Sequence, residues 1–213
     1  MDALVFDFDG LILDTEWPAY ITVAEAFEAH GLEMSLERWQ SRIGRGDNPP
    51  WTDLLAAAVD VDIDHVVVEE TRRARKDELT EANDLQPGVL ALLDAAAHHG
   101  LKTAVASSSP LSWVGRHLKR HGILDRFDAV RTRDDVRQAK PWPDVFLAAS
   151  DALGVAPSRS IVFEDSVNGV IAAKDAGMFC VAVPNRITTG GDFSRADLVL
   201  ESLTSVDLAS LLR

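Results

Sequence analysis

The sequence predicts an α/β protein in which a parallel β-sheet carries helices on both faces and a helical segment follows the first strand. From residue 86 onward, short apolar runs alternate with stretches of helical periodicity. Between residues 15 and 83, in contrast, apolar residues recur only at helical spacing. We therefore expect a core domain with the sheet formed by residues 1–14 and 84–213, and a small all-helical domain formed by residues 15–83.

Short apolar runs bounded by glycine, proline or polar residues predict the strands of the core. The first run is Leu4–Phe6, and Gly10 supplies the backbone freedom for the turn that follows it. Further strands are predicted at Lys102–Ala106, Phe127–Val130, Ile161–Phe163, Cys180–Val183 and Asp197–Leu200. Helices between them are predicted at Val89–His99, Leu111–His121 and Pro143–Leu153, with another ending at Ala176. This alternation is typical of a parallel sheet.

The inserted segment shows helical spacing and no strand pattern. The predicted helices are Trp17–Ala29, Leu36–Arg42, Trp51–Val59 and Asp64–Asn83. Because the first core strand precedes this segment and all the others follow it, we expect the segment to form a cap at the carboxyl end of the sheet.

Composition and charge restrict the classes of partner. The net charge of −13 argues against nucleic acid binding, since a nucleic-acid interface needs a basic face. No apolar run approaches the roughly 18 to 20 residues of a membrane span, and the amino terminus does not resemble a signal peptide. Cys180 is the only cysteine and lies among apolar residues, which indicates a buried thiol in a reducing compartment. We expect a cytoplasmic, monomeric protein.

Two carboxylates follow the first strand directly. Asp7 and Asp9 are separated by one residue, and Gly10 permits the turn that would let both reach one site. Carboxylates crowded together need a cation between them or a proton on one of them. A turn or helix cap is the common role of aspartate after a strand, and a calcium-binding loop would need its glycine two positions later.

Polar residues also follow other predicted strands. Ser107 comes after the second strand of the core, Lys140 follows a later strand and precedes a proline, and Glu164 and Asp165 close another strand. Ligands of open parallel sheets bind beyond the carboxyl ends of the strands. Taken singly these residues are typical helix caps or surface groups, but together they predict a site with carboxylates, a hydroxyl and a fixed cation.

Four ordered segments resemble the four motifs of the haloacid dehalogenase superfamily. They are Asp7-Phe8-Asp9-Gly10-Leu11, Ala106-Ser107-Ser108-Ser109, Lys140-Pro141 and Phe163-Glu164-Asp165-Ser166. Their order, with a helical segment between the first and second, is similar to the beta-phosphoglucomutase-like branch. The resemblance covers essentially the whole chain and implies a Rossmann-like core with a helical cap.

The resemblance implies a role for each site residue. Asp7 would be the nucleophile that forms an aspartyl-phosphate, and Asp9 would be the general acid and base. Mg²⁺ would lie between the Asp7 carboxylate, the Asp9 backbone carbonyl and Asp165, with Glu164 near the metal through water or a hydrogen bond. The implied phosphate-binding residues are Ser107, Ser108 and Lys140. Because true haloacid dehalogenases lack the second aspartate, Asp9 favours phosphoryl transfer.

The substrate is indicated less clearly than the chemistry. The beta-phosphoglucomutase that names the branch carries a histidine where this chain has Ala19 and a lysine where it has Pro110, and Thr15 instead resembles the simple phosphatases of the branch. Arg45 either contacts a second anionic group of the substrate or is exposed on a loop. We expect a magnesium-dependent phosphatase acting on a small phosphorylated metabolite. The alternatives are a phosphomutase and a catalytically idle binding module.

Overall fold

A computed structural model describes residues 1–42, 49–59 and 62–212 of the chain. They divide into two compact units, Met1–Leu13 with Asp84–Arg213 and Asp14–Asn83. We call the first the sheet unit and the second the helical unit. The strands are β1 Ala3–Phe6, β2 Lys102–Ala106, β3 Ala129–Arg131, β4 Ser160–Glu164, β5 Phe179–Ala182 and β6 Leu198–Val199. The α-helices are α1 Glu16–Glu28, α2 Leu36–Gln40, α3 Trp51–Ala56, α4 His65–Glu81, α5 Val89–His98, α6 Leu111–Arg120, α7 Asp144–Leu153, α8 Val167–Asp175 and α9 Leu208–Leu211.

The six strands form one parallel sheet in the order β3-β2-β1-β4-β5-β6. The strand that comes first in the sequence is therefore central, with β2 on one side and β4 on the other. Phe6, the last residue of β1, lies opposite Val105 of β2 and Phe163 of β4. The segments that follow these three strands consequently leave the sheet side by side.

Helices cover both faces of the sheet, which confirms the predicted α/β class. Leu4 and Phe6 of β1 pack into one core cluster with α5, α6 and α9, whereas Ala3 and Val5 pack into the other with α7 and α8. All four side chains are fully buried. Burial of each larger apolar side chain contributes about 1.5 to 3 kcal/mol, so the strand that leads into the candidate site is held firmly.

The predicted and observed strands differ most at β3. The sequence predicts a strand at residues 127–130, whereas β3 begins two residues later and covers Ala129–Arg131. The reason is a short 3-10 turn at Leu124–Arg126, after which the amide of Phe127 still donates to the carbonyl of Leu124. The chain becomes extended only beyond that turn.

Every regular element of the helical unit within residues 14–42, 49–59 and 62–83 is a helix. Its buried apolar centre consists of Val23, Phe27, Met34 and Leu55. Hydrogen bonds support this small core: Glu69 of α4, for example, accepts from the indole of Trp51 at 3.0 Å and from two arginines of its own helix. Burial disfavours the ionised carboxyl, but these donors outweigh burial and lower the pKa of Glu69.

Two further observations bear on the sequence analysis. No described helix is long and apolar enough to cross a membrane. Cys180 is a free, buried cysteine within β5, and burial raises the pKa of its thiol to about 12. A thiol held in this protonated form is a poor nucleophile, in agreement with the predicted buried strand position.

Candidate active site

The candidate site begins where β1 ends. The amide of Asp7 still donates to the carbonyl of Phe163 at 3.0 Å, so this residue continues the sheet. Gly10 then turns the chain with a φ of 86°. A Cβ at Gly10 would also collide with the carboxylate of Asp165 and lie 2.6 Å from the amide of Asn185. Glycine is therefore required here for both its backbone conformation and its lack of a side chain.

A buried lysine joins two buried carboxylates. The ammonium of Lys140 lies 2.5 Å from Asp7 and 2.6 Å from Glu164. The exposed fractions of the three side chains are 6%, 8% and 0%, respectively. Lys140 lies in the loop that follows β3, not directly at the end of that strand. The loop thus carries a cation to the ends of β1 and β4.

The charges of this group shift the pKa values of its members. Burial disfavours the charged lysine, but the carboxylates of Asp7 and Glu164 outweigh it and raise the pKa of Lys140. Burial also raises the pKa of Asp7, to about 8, helped by the negative charges of Glu164 and Asp9 and opposed by Lys140. A second cation near Asp7 would favour its ionised form.

The residues after β4 are fixed by hydrogen bonds. One carboxylate oxygen of Glu164 binds Lys140, and the other accepts from the amide and hydroxyl of Ser166 at 2.8 and 2.9 Å. A Cβ at Gly169 would overlap the Glu164 carboxylate. Asp165 accepts a hydrogen bond of 2.6 Å from the side-chain amide of Asn185. Both carboxylates are thus held in single orientations.

Three carboxylates form a group that could hold a metal ion. One oxygen each from Asp7, Glu164 and Asp165 lies within 4.8 Å of the others, and all three residues are buried. Oxygen ligands of this kind fit a hard divalent cation such as Mg²⁺. Because both oxygens of Glu164 already accept hydrogen bonds, Asp7 and Asp165 are the better direct ligands of the three.

The carboxylate of Asp9 faces a different set of partners. It accepts from the hydroxyl of Ser109 at 2.6 Å, from the indole N–H of Trp113 at 2.9 Å and from the hydroxyl of Ser107 at 3.3 Å. The surroundings of the two side chains therefore differ: Asp7 contacts a lysine ammonium, and Asp9 accepts from hydroxyls and an indole N–H. Two carboxylates in such different surroundings suit two different chemical roles.

The serines after β2 connect these two groups. The hydroxyl of Ser107, which is fully buried, accepts from the amide of Ser109 at 3.0 Å. The hydroxyl of Ser108 accepts from the amide of Lys140 at 3.3 Å. The structure therefore brings Asp7, Asp9, Ser107, Ser108, Lys140, Glu164 and Asp165 together at the carboxyl end of the sheet.

Two predicted substrate residues belong to the helical segment of the chain. Thr15 is fully buried in the helical unit, immediately before α1. Arg45 lies outside the described residues. Their predicted contacts with substrate stay predictions.

Three site residues were not identified from the sequence. Ser109 belongs to the quoted serine motif, and Asn185 follows the end of β5, so the strand-end rule that selected Ser107 could have selected both. Trp113 lies in the first turn of α6. No sequence signal separates this tryptophan from an ordinary core residue.

The chain belongs to the haloacid dehalogenase-like hydrolases, because the model of that family matches residues 4–183. The resemblance to this superfamily is confirmed, as is the expectation of a hydrolytic enzyme.

The chain is similar to two bacterial proteins over nearly its whole length. YhcW of Bacillus subtilis (strain 168), which is provisionally named a phosphatase, is 44% identical over 210 residues, covering 99% of this chain and 96% of the relative. Validoxylamine A 7'-phosphate phosphatase of Streptomyces hygroscopicus subsp. limoneus is 31% identical over 205 residues, covering 95% and 94%. Both alignments therefore extend over nearly the whole chain and nearly the whole relative.

A solved structure shares the fold. CbbY from Rhodobacter sphaeroides, crystallised as an aspartate-to-asparagine mutant with xylulose 1,5-bisphosphate, matches with a TM-score of 0.80 and 27% identity. The match covers 99% of each chain.

Proposed function

We propose that this protein is a magnesium-dependent phosphatase that hydrolyses a small phosphorylated metabolite through an aspartyl-phosphate on Asp7. The observation that carries the proposal is the difference between the surroundings of Asp7 and those of Asp9. Asp7 is paired with a buried cation and lies beside two further carboxylates, whereas Asp9 accepts hydrogen bonds from two serine hydroxyls and an indole N–H. One carboxylate is thus suited to nucleophilic attack and the other to proton transfer.

The proposed metal site consists of Asp7 and Asp165, with the backbone carbonyl of Asp9 as a further ligand and Glu164 close by. The three carboxylates lie within reach of one cation, and Asn185 orients Asp165. When bound, Mg²⁺ would offset the charge of the phosphoryl group and favour the ionised form of Asp7.

The residues of the chain support a two-step displacement. An oxygen of Asp7 attacks phosphorus, the bond to the substrate oxygen breaks, and Asp9 donates a proton to that leaving oxygen. A water molecule then attacks the phosphorus of the aspartyl-phosphate, and Asp9 takes the proton of that water. Inorganic phosphate leaves, and both aspartates return to their first state.

The phosphate-binding role is proposed for Ser107, Ser108 and Lys140. Lys140 is a buried cation in direct contact with Asp7, so it would attract the phosphoryl oxygens against the negative charge of the whole protein. The two serine hydroxyls follow β2 at the same end of the sheet. Donors fixed before the substrate arrives stabilise a charged transition state most effectively.

Substrate selection is assigned to residues 15–83 as a cap domain, including Thr15 and Arg45. Two similar proteins support a phosphorylated sugar or a related compound as the substrate: one is named for validoxylamine A 7'-phosphate, and the other was crystallised with xylulose 1,5-bisphosphate. The single buried cysteine is consistent with a cytoplasmic enzyme. We further propose that the enzyme is a monomer without nucleic acid or membrane partners.

The test is phosphate release from a panel of sugar, polyol and glycolate phosphates in the presence of magnesium. Turnover should be abolished by a chelator and by Asp7→Asn, which keeps the shape of the side chain but removes the nucleophile. Asp2→Asn is a matched control, because Asp2 is partly exposed and pairs with Arg159. Isomerisation of one sugar phosphate without release of phosphate would instead support the mutase, and a folded, magnesium-binding but inactive protein would support the binding module.

A further inference from the structure

Trp113 contacts the carboxylate of Asp9 directly. Its indole N–H donates to Oδ1 at 2.9 Å, while Ser109 and Ser107 donate to Oδ2 at 2.6 and 3.3 Å. One short stretch of chain, the loop after β2 and the first turn of α6, therefore supplies donors to both oxygens. This arrangement fixes the plane of the carboxylate as well as its position.

The indole is itself held on two sides. The ring of His117, one turn further along α6 and fully buried, packs edge-on against it with centroids 4.4 Å apart and planes at 72°. The guanidinium of Arg116 lies 5.2 Å from its centroid on a cation–π contact. Trp113 also packs against the apolar cluster beneath α6. A ring fixed in this way presents its N–H in one direction.

We propose that Trp113 is a positioning residue for Asp9, the proposed general acid and base; this inference rests on the proposed function. An indole nitrogen can only donate a hydrogen bond, whereas a serine hydroxyl can donate or accept. Trp113 therefore keeps Oδ1 as an acceptor and leaves Oδ2 beside the two hydroxyls. Without the indole N–H, the carboxylate of Asp9 can rotate away from the leaving oxygen.

The consequence is specific to proton transfer. General acid–base catalysis contributes about 10²- to 10⁴-fold, and a displacement of about 1 Å can lower a rate by roughly 100-fold. Loss of the Trp113 contact should therefore lower kcat/KM by roughly 10- to 100-fold for an alkyl phosphate, whose leaving oxygen needs a proton. It should have little effect on para-nitrophenyl phosphate, whose leaving group departs without one.

The experiment compares kcat/KM for glucose 6-phosphate and para-nitrophenyl phosphate in Trp113→Phe. A second variant, with β-(3-benzothienyl)alanine at this position, keeps the ring size and removes only the N–H. Trp142→Phe is the control, because Trp142 is 54% exposed. We expect a selective loss for glucose 6-phosphate in both variants at position 113. Equal losses for the two substrates, or no loss in the benzothienyl variant, would overturn the inference.

A second measurement does not depend on activity. In the metal-free protein, the indole N–H resonance of Trp113, assigned by its absence in Trp113→Phe, should move upfield in Asp9→Asn as the charged acceptor is lost. An unchanged resonance would refute the contact itself. The two proposals fail separately: full activity in Asp7→Asn and Asp9→Asn contradicts the phosphatase mechanism, whereas their inactivity beside an unaffected Trp113→Phe contradicts only the role of Trp113.

Discussion

Replacing Lys140 by methionine would remove the buried cation while keeping most of the side-chain volume. In the native protein its ammonium lies 2.5 Å from Asp7 and 2.6 Å from Glu164. Removing one partner of a buried ion pair lowers the free energy of unfolding by about 3 to 5 kcal/mol, because a charge is left buried without compensation. We expect a loss of this size for Lys140→Met in metal-free buffer at about pH 8 to 9.

The loss in free energy of unfolding of Lys140→Met should depend on pH, and the pKa of Asp7 determines the direction of this dependence. The pKa of Asp7 is already raised to about 8, and Lys140 is the group that opposes this rise. Without Lys140 the pKa of Asp7 rises further, so the folded variant holds more protons than the unfolded chain from about pH 4 upward. Below about pH 8 the native protein holds this proton as well, so the deficit relative to the native protein should be smaller at about pH 5 and should grow above about pH 8, where Asp7 ionises in the native protein but not in the variant.

The assay is urea unfolding followed by circular dichroism, with chelator present, from about pH 5 to about pH 9. Lys174→Met is a matched control, because Lys174 pairs with Asp197 at 2.6 Å but both side chains are partly exposed. Such a pair contributes about 0 to 1 kcal/mol. A loss for Lys140→Met no larger than that of the control, or one that is constant across the pH range, would refute the reasoning.

Two other substitutions test the surroundings of the proposed metal site, and a third tests the buried cysteine. Gly10→Ala should lower the free energy of unfolding by about 1 to 3 kcal/mol and weaken magnesium binding, because a Cβ is strained at φ 86° and collides with Asp165. Thermal unfolding measures the first effect and calorimetric titration with magnesium the second. Values like those of the native protein would contradict the argument. Asn185→Ala should weaken magnesium binding by about 10- to 100-fold with little change in melting temperature, since it removes the hydrogen bond that orients Asp165. An unchanged affinity in the same titration would exclude this orienting role. Cys180→Ser should retain activity. The native thiol should react with a disulfide reagent only on unfolding, because the cysteine is buried and its pKa is raised to about 12. Rapid labelling of the folded protein would contradict this prediction.

The sequence predicts the sheet well because local and global signals agree there. The strand at Lys102–Ala106 has the predicted bounds, and β1, β4 and β5 differ from their predictions by one or two residues. Most residues of these strands are apolar and buried in the sheet unit. The exception is β3, which is short and follows a 3-10 turn. A turn of this kind is formed by backbone hydrogen bonds and leaves no periodic pattern of apolar residues in the sequence. Its start is therefore not visible in the pattern of residue types.

The candidate site could be predicted only in part. The strand-end rule and the family resemblance select Asp7, Asp9 and Asp165, because parallel strands bring their carboxyl ends to one edge. The contact of Trp113 with Asp9 depends on the direction in which α6 leaves the sheet, which residue types alone do not fix. The same holds for Asn185, whose partner Asp165 lies on another loop.

The central position of β1 also has a consequence for the order of events during synthesis. This strand is made before both of its neighbours in the sheet, which are residues 102–106 and 160–164. Leu4 and Phe6 therefore have no β-sheet partner until β2 has emerged, and the strand is paired on both edges only after β4 has emerged. Contacts so distant in sequence slow folding. We expect the nascent chain to expose this apolar strand until its partners have emerged, and exposed apolar surface of this kind is what chaperones bind.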